Sequence, residues 1–251
     1  MYYLSVLAIF KNETMNLKLW IDHYLWQGVD HFYLIDNGSD DNPLSILNEY
    51  INNGIVSYFY LPERHKQVEY YKFVFDNQNI KNKTQWLAVC DLDEFFFGVD
   101  QKLTTKIRSL ESYFDYILCN WKMFGSGGFK KHPPDIRTAI TNCENSLHEN
   151  TKYIFKPNII KDSSQIWIHK LLNISNINPK RIRIANQLIK LNHYPIQSQE
   201  FFKKVKMTRG DVNNGGSENI RNIKYFNSYD QKSDGNDEEL KNIILNPPTN
   251  Y

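Results

Sequence analysis

A chain of 251 residues with 41% hydrophobic and 23% charged side chains falls among ordinary globular proteins, long enough for one α/β domain with a full core or, at the limit, two small ones. Its three cysteines, Cys90, Cys119 and Cys143, are odd in number and widely spaced, which excludes a disulfide framework and a cysteine-held zinc site. Net charge is +2, but residues 1–100 carry seven basic and fourteen acidic side chains while the remainder carries twenty-three and fourteen, so an acidic part precedes a basic one.

Tyr2–Phe10, "YYLSVLAIF", is a short apolar run rich in β-formers and predicts a buried strand. It is too short to span a bilayer and has no basic region before it, so a cytoplasmic protein without its own anchor is expected. From Thr14 to Gln27 the apolar residues Leu17, Trp20, Ile21, Tyr24 and Leu25 recur at helical spacing, and Gly28 ends the helix. "VDHFYLID" (Val29–Asp36) is the next strand, closed by the turn "NGSDDNP". "PLSILNEYINNG" predicts a helix ending at Gly54, and "IVSYFYL" a third strand. This β-α-β-α-β order marks a parallel sheet with crossover helices.

Glu63 to Ile80 continues as a helix, and "QWLAVCDLDEFFF" as a fourth strand running into an acidic motif. Beyond "FDYILCNWKMFG" the pattern loosens, with "YIFKPNII" and "NQLIKLNHY" as the clearest strands. Residues 1–226 are expected to form one domain, and residues 227–251, polar with one short amphipathic stretch, a peripheral helix and loose tail.

Ligands of parallel α/β sheets bind beyond the carboxyl ends of the strands, where both acidic clusters fall. In "DLD", Asp91 and Asp93 flank Leu92. In an extended strand such residues point to one side, so both carboxylates would reach one hard cation such as Mn²⁺ or Mg²⁺, which keeps positions open for substrate phosphates. A pair of salt-bridged loop aspartates is the plainer alternative. A phosphatase with a nucleophilic first Asp also uses D-x-D, but near its N-terminus and without the Glu94 that follows here. A metal-dependent phosphatase or nuclease using the same carboxylates therefore stands second to the reading below. "DNGSDD" offers short polar groups suited to a nucleobase and ribose, or simply a tight turn. In "WKMFGSGG" (Trp121–Gly128), Gly125 and Ser126 would let backbone approach a ligand closely. His193 ends a strand and precedes a basic helix, whose Lys204, with Arg209 beyond it, would face a diphosphate or only solvent. The basic remainder also suits an anionic lipid surface.

Taken together, "KNETMNLKLWIDHYLWQGVDHFYLIDNGSDD", "WLAVCDLDEFF", "WKMFGSGG" and "NHYPIQSQEFFKKVKMTRG" resemble, in order, glycosyltransferase family 92 and its family-2-like relatives, in patches over residues 4–211. The resemblance implies a GT-A fold, a Rossmann-like and mainly parallel mixed sheet flanked by helices. It also implies a nucleotide-sugar donor and a divalent metal, Mn²⁺ or Mg²⁺. Asp91 and Asp93 match the metal and donor motif. His193 matches a third metal or diphosphate contact. Asp36, Asn37, Ser39 and Asp40 match the nucleotide-side turn, and Glu13 and Gln67 match positions near the nucleotide. Members of the family are inverting galactosyltransferases using UDP-galactose, so a UDP-sugar donor, a glycan acceptor and no nucleic-acid partner are expected. Inversion requires a base, for which Glu200, Asp162 and Asp211 are the candidates, while Glu94 organises the site.

Overall fold

The computed structural model describes residues 1–208 and 221–251. The elements run β1 (Tyr2–Phe10), α1 (Thr14–Trp26), β2 (His31–Asp36), α2 (Leu44–Asn52), β3 (Val56–Tyr60), α3 (Gln67–Asn77), a single turn α4 (Ile80–Lys83), β4 (Thr84–Val89), β5 (Glu94–Gly98), α5 (Leu103–Leu110) and β6 (Tyr116–Asn120). There follow β7 (Lys122–Met123), α6 (Ile136–Ala139), β8 (Asn142–Cys143), β9 (Thr151–Phe155), β10 (Ile182–Ile184), β11 (Ile189–His193), α7 (Gln199–Lys204), α8 (Ile223–Asp230), β12 (Gly235–Asn236) and α9 (Glu239–Leu245).

Seven strands form the main sheet in the order β10-β6-β9-β4-β1-β2-β3. β4, β1, β2 and β3 are parallel to one another, while β9 runs antiparallel to both its neighbours, so the sheet is mixed and mostly parallel. Its central strands are apolar on both faces because helices cover both. Leu4, Val6, Ala8 and Phe10 enter one core with Leu17, Trp20, Ile21 and Tyr24 of α1. The alternate residues Leu7 and Ile9 enter another with Tyr70, Tyr71 and Val74 of α3. That alternation is why a nine-residue run reads as uninterrupted hydrophobicity rather than as an amphipathic strand. Gly28 ends α1 with φ +89, and an added Cβ there would lie 2.3 Å from the Thr104 hydroxyl, so both conformation and space demand glycine.

Three sequence expectations are corrected. "QWLAVCDLDEFFF" is two strands: β4 stops at Val89, and β5 leaves the main sheet to pair antiparallel with β11 in a three-stranded sheet, β5-β11-β7. The apolar runs on both sides of the acidic residues masked this break. The strand read in "YIFKPNII" stops at Phe155, and Pro157, which has no N–H for a ladder, opens a 3-10 turn. The tail read as loose is tied in: Leu240 and Ile243 of α9 are buried in the first core, and the Tyr251 hydroxyl donates to the Gly98 carbonyl (3.0 Å) and accepts from Gln27 Nε2 (2.7 Å). No helix among the described residues is long and apolar enough to cross a membrane.

Candidate active site

The site is built where β1, β2 and β4 end on the same side of the main sheet. β4 delivers the chain to Asp91, a turn at Leu92 and Asp93 reverses it, and Glu94 begins β5. The extended i, i+2 geometry expected for "DLD" is therefore replaced by a turn, and the two aspartates meet different cations. Lys152, a wholly buried residue of β9, places its ammonium 2.8 Å from Asp91 Oδ2 and 3.6 Å from Glu94 Oε2. Lys206 lies 2.6 Å from Asp93 Oδ2 and 3.5 Å from Glu13 Oε1. The turn itself is pinned by Trp20, whose indole N–H donates to the carbonyls of Asp91 (3.1 Å) and Glu94 (3.0 Å). Glu94 Oε2 accepts from the Asp91 backbone N–H (2.7 Å), which ties the two ends of the turn together. Leu92 points into the main core and offers only backbone to a ligand.

His193, at the end of β11, is paired in register with Glu94 and puts Nε2 3.6 Å from Asp93 Oδ1. One ligating atom from each of Asp93, Glu94 and His193 lies within 4.8 Å of the others, and all three side chains are buried. Two buried polar atoms in this group, Glu94 Oε1 and His193 Nδ1, have no hydrogen-bond partner among the described residues. Buried polar atoms are ordinarily satisfied, and two carboxylates with an imidazole make a donor set suited to Mn²⁺ or Mg²⁺, so the residues present fit such an ion. The set differs from the expected one in containing Glu94, while Asp91 turns to Lys152. Burial works to raise the Asp93 pKa, but the Lys206 ammonium and the His193 ring hold it well below the usual carboxylate range. Burial dominates at Glu94 and, with repulsion from Asp91 and Asp93, pushes it well above that range despite Lys152.

The turn after β2, expected on the nucleotide side, follows the end of a strand separated from β4 by β1. Asp36 is buried and accepts from the Ser39 N–H (2.7 Å) and the Tyr58 hydroxyl (2.7 Å). Asn37 donates to the carbonyls of Leu61 and Glu63, and Ser39 Oγ accepts from the Asn12 N–H. Asp40 is exposed, and its N–H donates to Asn12 Oδ1. Much of the polar capacity of "DNGSDD" thus ties β2 to β1 and β3. Gln67 opens α3 and reaches Asp91 Oδ1 at 3.5 Å.

Other predicted residues are elsewhere or engaged. Gly125 packs against Asn142 and Ser233, and the Ser126 N–H donates to Asp230, so this loop is held by the chain itself. Lys204 pairs with Glu200 on the exposed face of α7. That pairing and the His132 N–H bring the Glu200 carboxyl down to about 2, a weak base. Asp162 caps a 3-10 turn, and its neighbour Ser163 bonds Asp76 at the far end of α3 from Gln67, roughly 13 Å along the helix. The structure does not bring Asp162 to the acidic group. Asp211 and Arg209 lie outside the described residues.

Sequence reading missed Lys152, Lys206 and Trp20. A lysine inside an apolar strand, as in "TKYIF", is a signal of a buried counter-charge. Lys206 gave no such sign, lying in a run of lysines that reads as a solvated helix face. The Trp121 ring packs 4.4 Å from His193, 5.1 Å from His169 and 5.5 Å from His148, forming an aromatic wall beside the group.

The mixed, mostly parallel sheet with helices on both faces is of the GT-A kind. The sequence matches the profile of glycosyltransferase family 92 over residues 2–239, and the chain belongs to that family. It is 25% identical over 203 residues to a family 92 protein of Oryza sativa subsp. japonica and 24% identical over 215 residues to one of Arabidopsis thaliana, covering 80% of this chain in each case. It spans about a third of those relatives, 34% and 36% of their lengths. The fold is similar to that of TarS residues 1–349 from S. aureus in complex with UDP, with a TM-score of 0.50 and 14% identity over 80% of this chain and 63% of that one. GalNAc-T7 with UDP, GalNAc and Mn²⁺ superposes with a TM-score of 0.49 and 14% identity over 88% of this chain and 47% of that one.

Proposed function

We propose that the chain transfers a hexose, galactose as the leading candidate, from a UDP-sugar to a hydroxyl of a glycan or glycoconjugate, with inversion and with Mn²⁺ or Mg²⁺ bound. The observation that carries the reading is the buried group of Asp93, Glu94 and His193, with two ligand atoms that lack a partner among the described residues, at the strand ends that also hold the Asp36 turn. A bound divalent ion supplies charge neutralisation to the departing diphosphate, worth several kcal/mol in typical cases. Asp93, Glu94 and His193 would hold it, with Asp91 facing the same donor from its pairing with Lys152. Asp36, Asn37, Ser39 and Asp40 would frame the nucleoside. The acceptor oxygen attacks the anomeric carbon, the bond from that carbon to the β-phosphate oxygen breaks, and UDP leaves with the electron pair. The acceptor proton passes to a carboxylate; of the three sequence candidates Asp162 stands apart and Glu200 is a weak base held by Lys204, which leaves Asp211. The Trp121 ring provides a flat wall beside His193 for a sugar.

Calorimetric titration of UDP tests this. Binding is expected with Mn²⁺, and is expected to fall at least about tenfold with chelator, in Asp93→Asn and in His193→Ala. UDP binding that is indifferent to chelator and to both substitutions in folded protein overturns the metal-held donor site.

A further inference from the structure

Asn120 and Lys122 flank Trp121, and Asn192 precedes His193. Along extended chain, neighbours face opposite ways, so the side that carries Trp121 and His193 toward the acidic group has a reverse side carrying Asn120, Lys122, Lys190 and Asn192. The register Asn192↔Lys122 sets two of these side by side. There they line a cleft of about 190 Å³ together with Asn186, Gln187 and Asp237, and Leu147 forms an apolar rim. The wall is fixed: Asn186 Nδ2 donates to Asn120 Oδ1 (2.9 Å), and the Asn120 N–H donates to Asn186 Oδ1 (2.9 Å). The charges balance. Lys190 pairs with Glu239, and Lys122, which donates to the Asn145 carbonyl (3.2 Å), stands opposite Asp237 in charge. Gln187 is exposed, and its amide has no side-chain partner among the described residues.

Asn120, Asn186 and Asn192 are bonded within the chain and shape the wall, so the groups offered to a ligand are the Gln187 amide, the second oxygen of Asp237 and the remaining ammonium protons of Lys122 and Lys190. With a leucine rim and little net charge, they form the chemistry that recognises a neutral polyhydroxylated ring. We propose that this cleft is a second saccharide site, holding one neutral hexose ring of a glycan on the face opposite the catalytic group. Its role as a remote acceptor subsite rests on the glycosyltransferase reading, while binding itself does not. Because Lys122 and Asn192 adjoin Trp121 and His193, an occupied cleft would fix the strands that present those two residues.

The test is saturation-transfer NMR with methyl glycosides of glucose, galactose and N-acetylglucosamine, beside glucose 6-phosphate, on the whole chain. Transfer to at least one neutral glycoside is expected, persisting in saturating UDP and Mn²⁺. It should weaken about fivefold in Gln187→Ala, which removes one exposed amide, and similarly in Lys122→Ala. No transfer, transfer unchanged by both substitutions, or binding of the phosphorylated sugar alone would overturn the proposal. Calorimetry of UDP on the same samples separates the two readings: sugar bound without UDP leaves the cleft standing and removes the donor site, and UDP bound without sugar does the reverse.

Discussion

At the scale of single residues, two positive side chains answer the cost of burying Asp93 and half-burying Asp91. Lys206 is 2% exposed at its side chain and Asp93 9%, so neither charge is well solvated and each depends on the other. Replacing Lys206 by methionine should therefore cost about 3 kcal/mol of stability by stranding Asp93. The same change removes the cation that competes for that carboxylate, so Mn²⁺ should stabilise Lys206→Met more than it stabilises the wild type. Thermal unfolding with and without Mn²⁺ reads both effects, and a variant as stable as wild type, or one that gains nothing extra from Mn²⁺, would contradict this account. Asp93 and His193 were legible because a carboxylate between apolar runs and a histidine at a strand end are conspicuous. Lys206 was not, since burial depends on how the loop after α7 folds back over the strand ends. Glu94 was read as an organiser and its place in the buried group escaped, because its direction is set by the turn that sequence pattern had smoothed into a strand.

At the scale of elements, Asp115 shows how the far side of the main sheet is held. It stands just before β6 and accepts from Arg181, the residue before β10, and from Lys156, the residue after β9 (2.8 Å). Its carboxyl is held below the ordinary range by the hydrogen bond from Arg181, then by Lys156, against the opposing effect of partial burial. A carboxylate whose pKa is lower folded than unfolded contributes stability above its unfolded value near 4, and that contribution is lost as pH falls through the folded value. Asp115→Asn should thus be less stable than wild type by roughly 1–2 kcal/mol at pH 7, with the gap closing below about pH 4. Urea unfolding at both pH values measures it, and a gap that persists in acid would mean the loss is one of packing. The first three strands, the start of the fourth and the helices between them were readable because parallel strands buried on both faces leave long apolar runs. β9 was read as a strand in "YIFKPNII" but not in its antiparallel direction, and β10 was not read. An antiparallel insertion and a three-residue edge strand depend on partners distant in the chain, such as the pairing of Ile182 with Tyr116, and leave little local pattern.

At the scale of the whole molecule, the charge asymmetry of the sequence becomes a contact. Asp91 and Asp93 from the acidic first part meet Lys152 and Lys206 from the basic remainder, so folding brings the two parts together at the site rather than on separate faces. A second long-range closure acts from the other end of the small sheet. Tyr251 packs its ring, tilted by 35°, 4.9 Å from that of Trp26, and its hydroxyl joins Gln27 of the α1 terminus to Gly98 at the end of β5. Gln27 in turn accepts from the Leu103 N–H (2.8 Å) with its other amide atom, so one phenol steadies a junction of α1, β5 and α5. Tyr251→Phe keeps the ring contact and removes both hydroxyl bonds, leaving the Gln27 amide and the Gly98 carbonyl short of a partner. The expected loss is about 1–2 kcal/mol, a fall in melting temperature of about 2–4 °C for a chain of this size. UDP affinity should stay within about twofold, because β5 reaches the acidic turn at its opposite end. Calorimetric melting together with UDP titration checks the pair of outcomes. A large loss of UDP binding without a fall in melting temperature would mean that the β5 junction sets the position of Glu94, and that the small sheet moves as one body with the site.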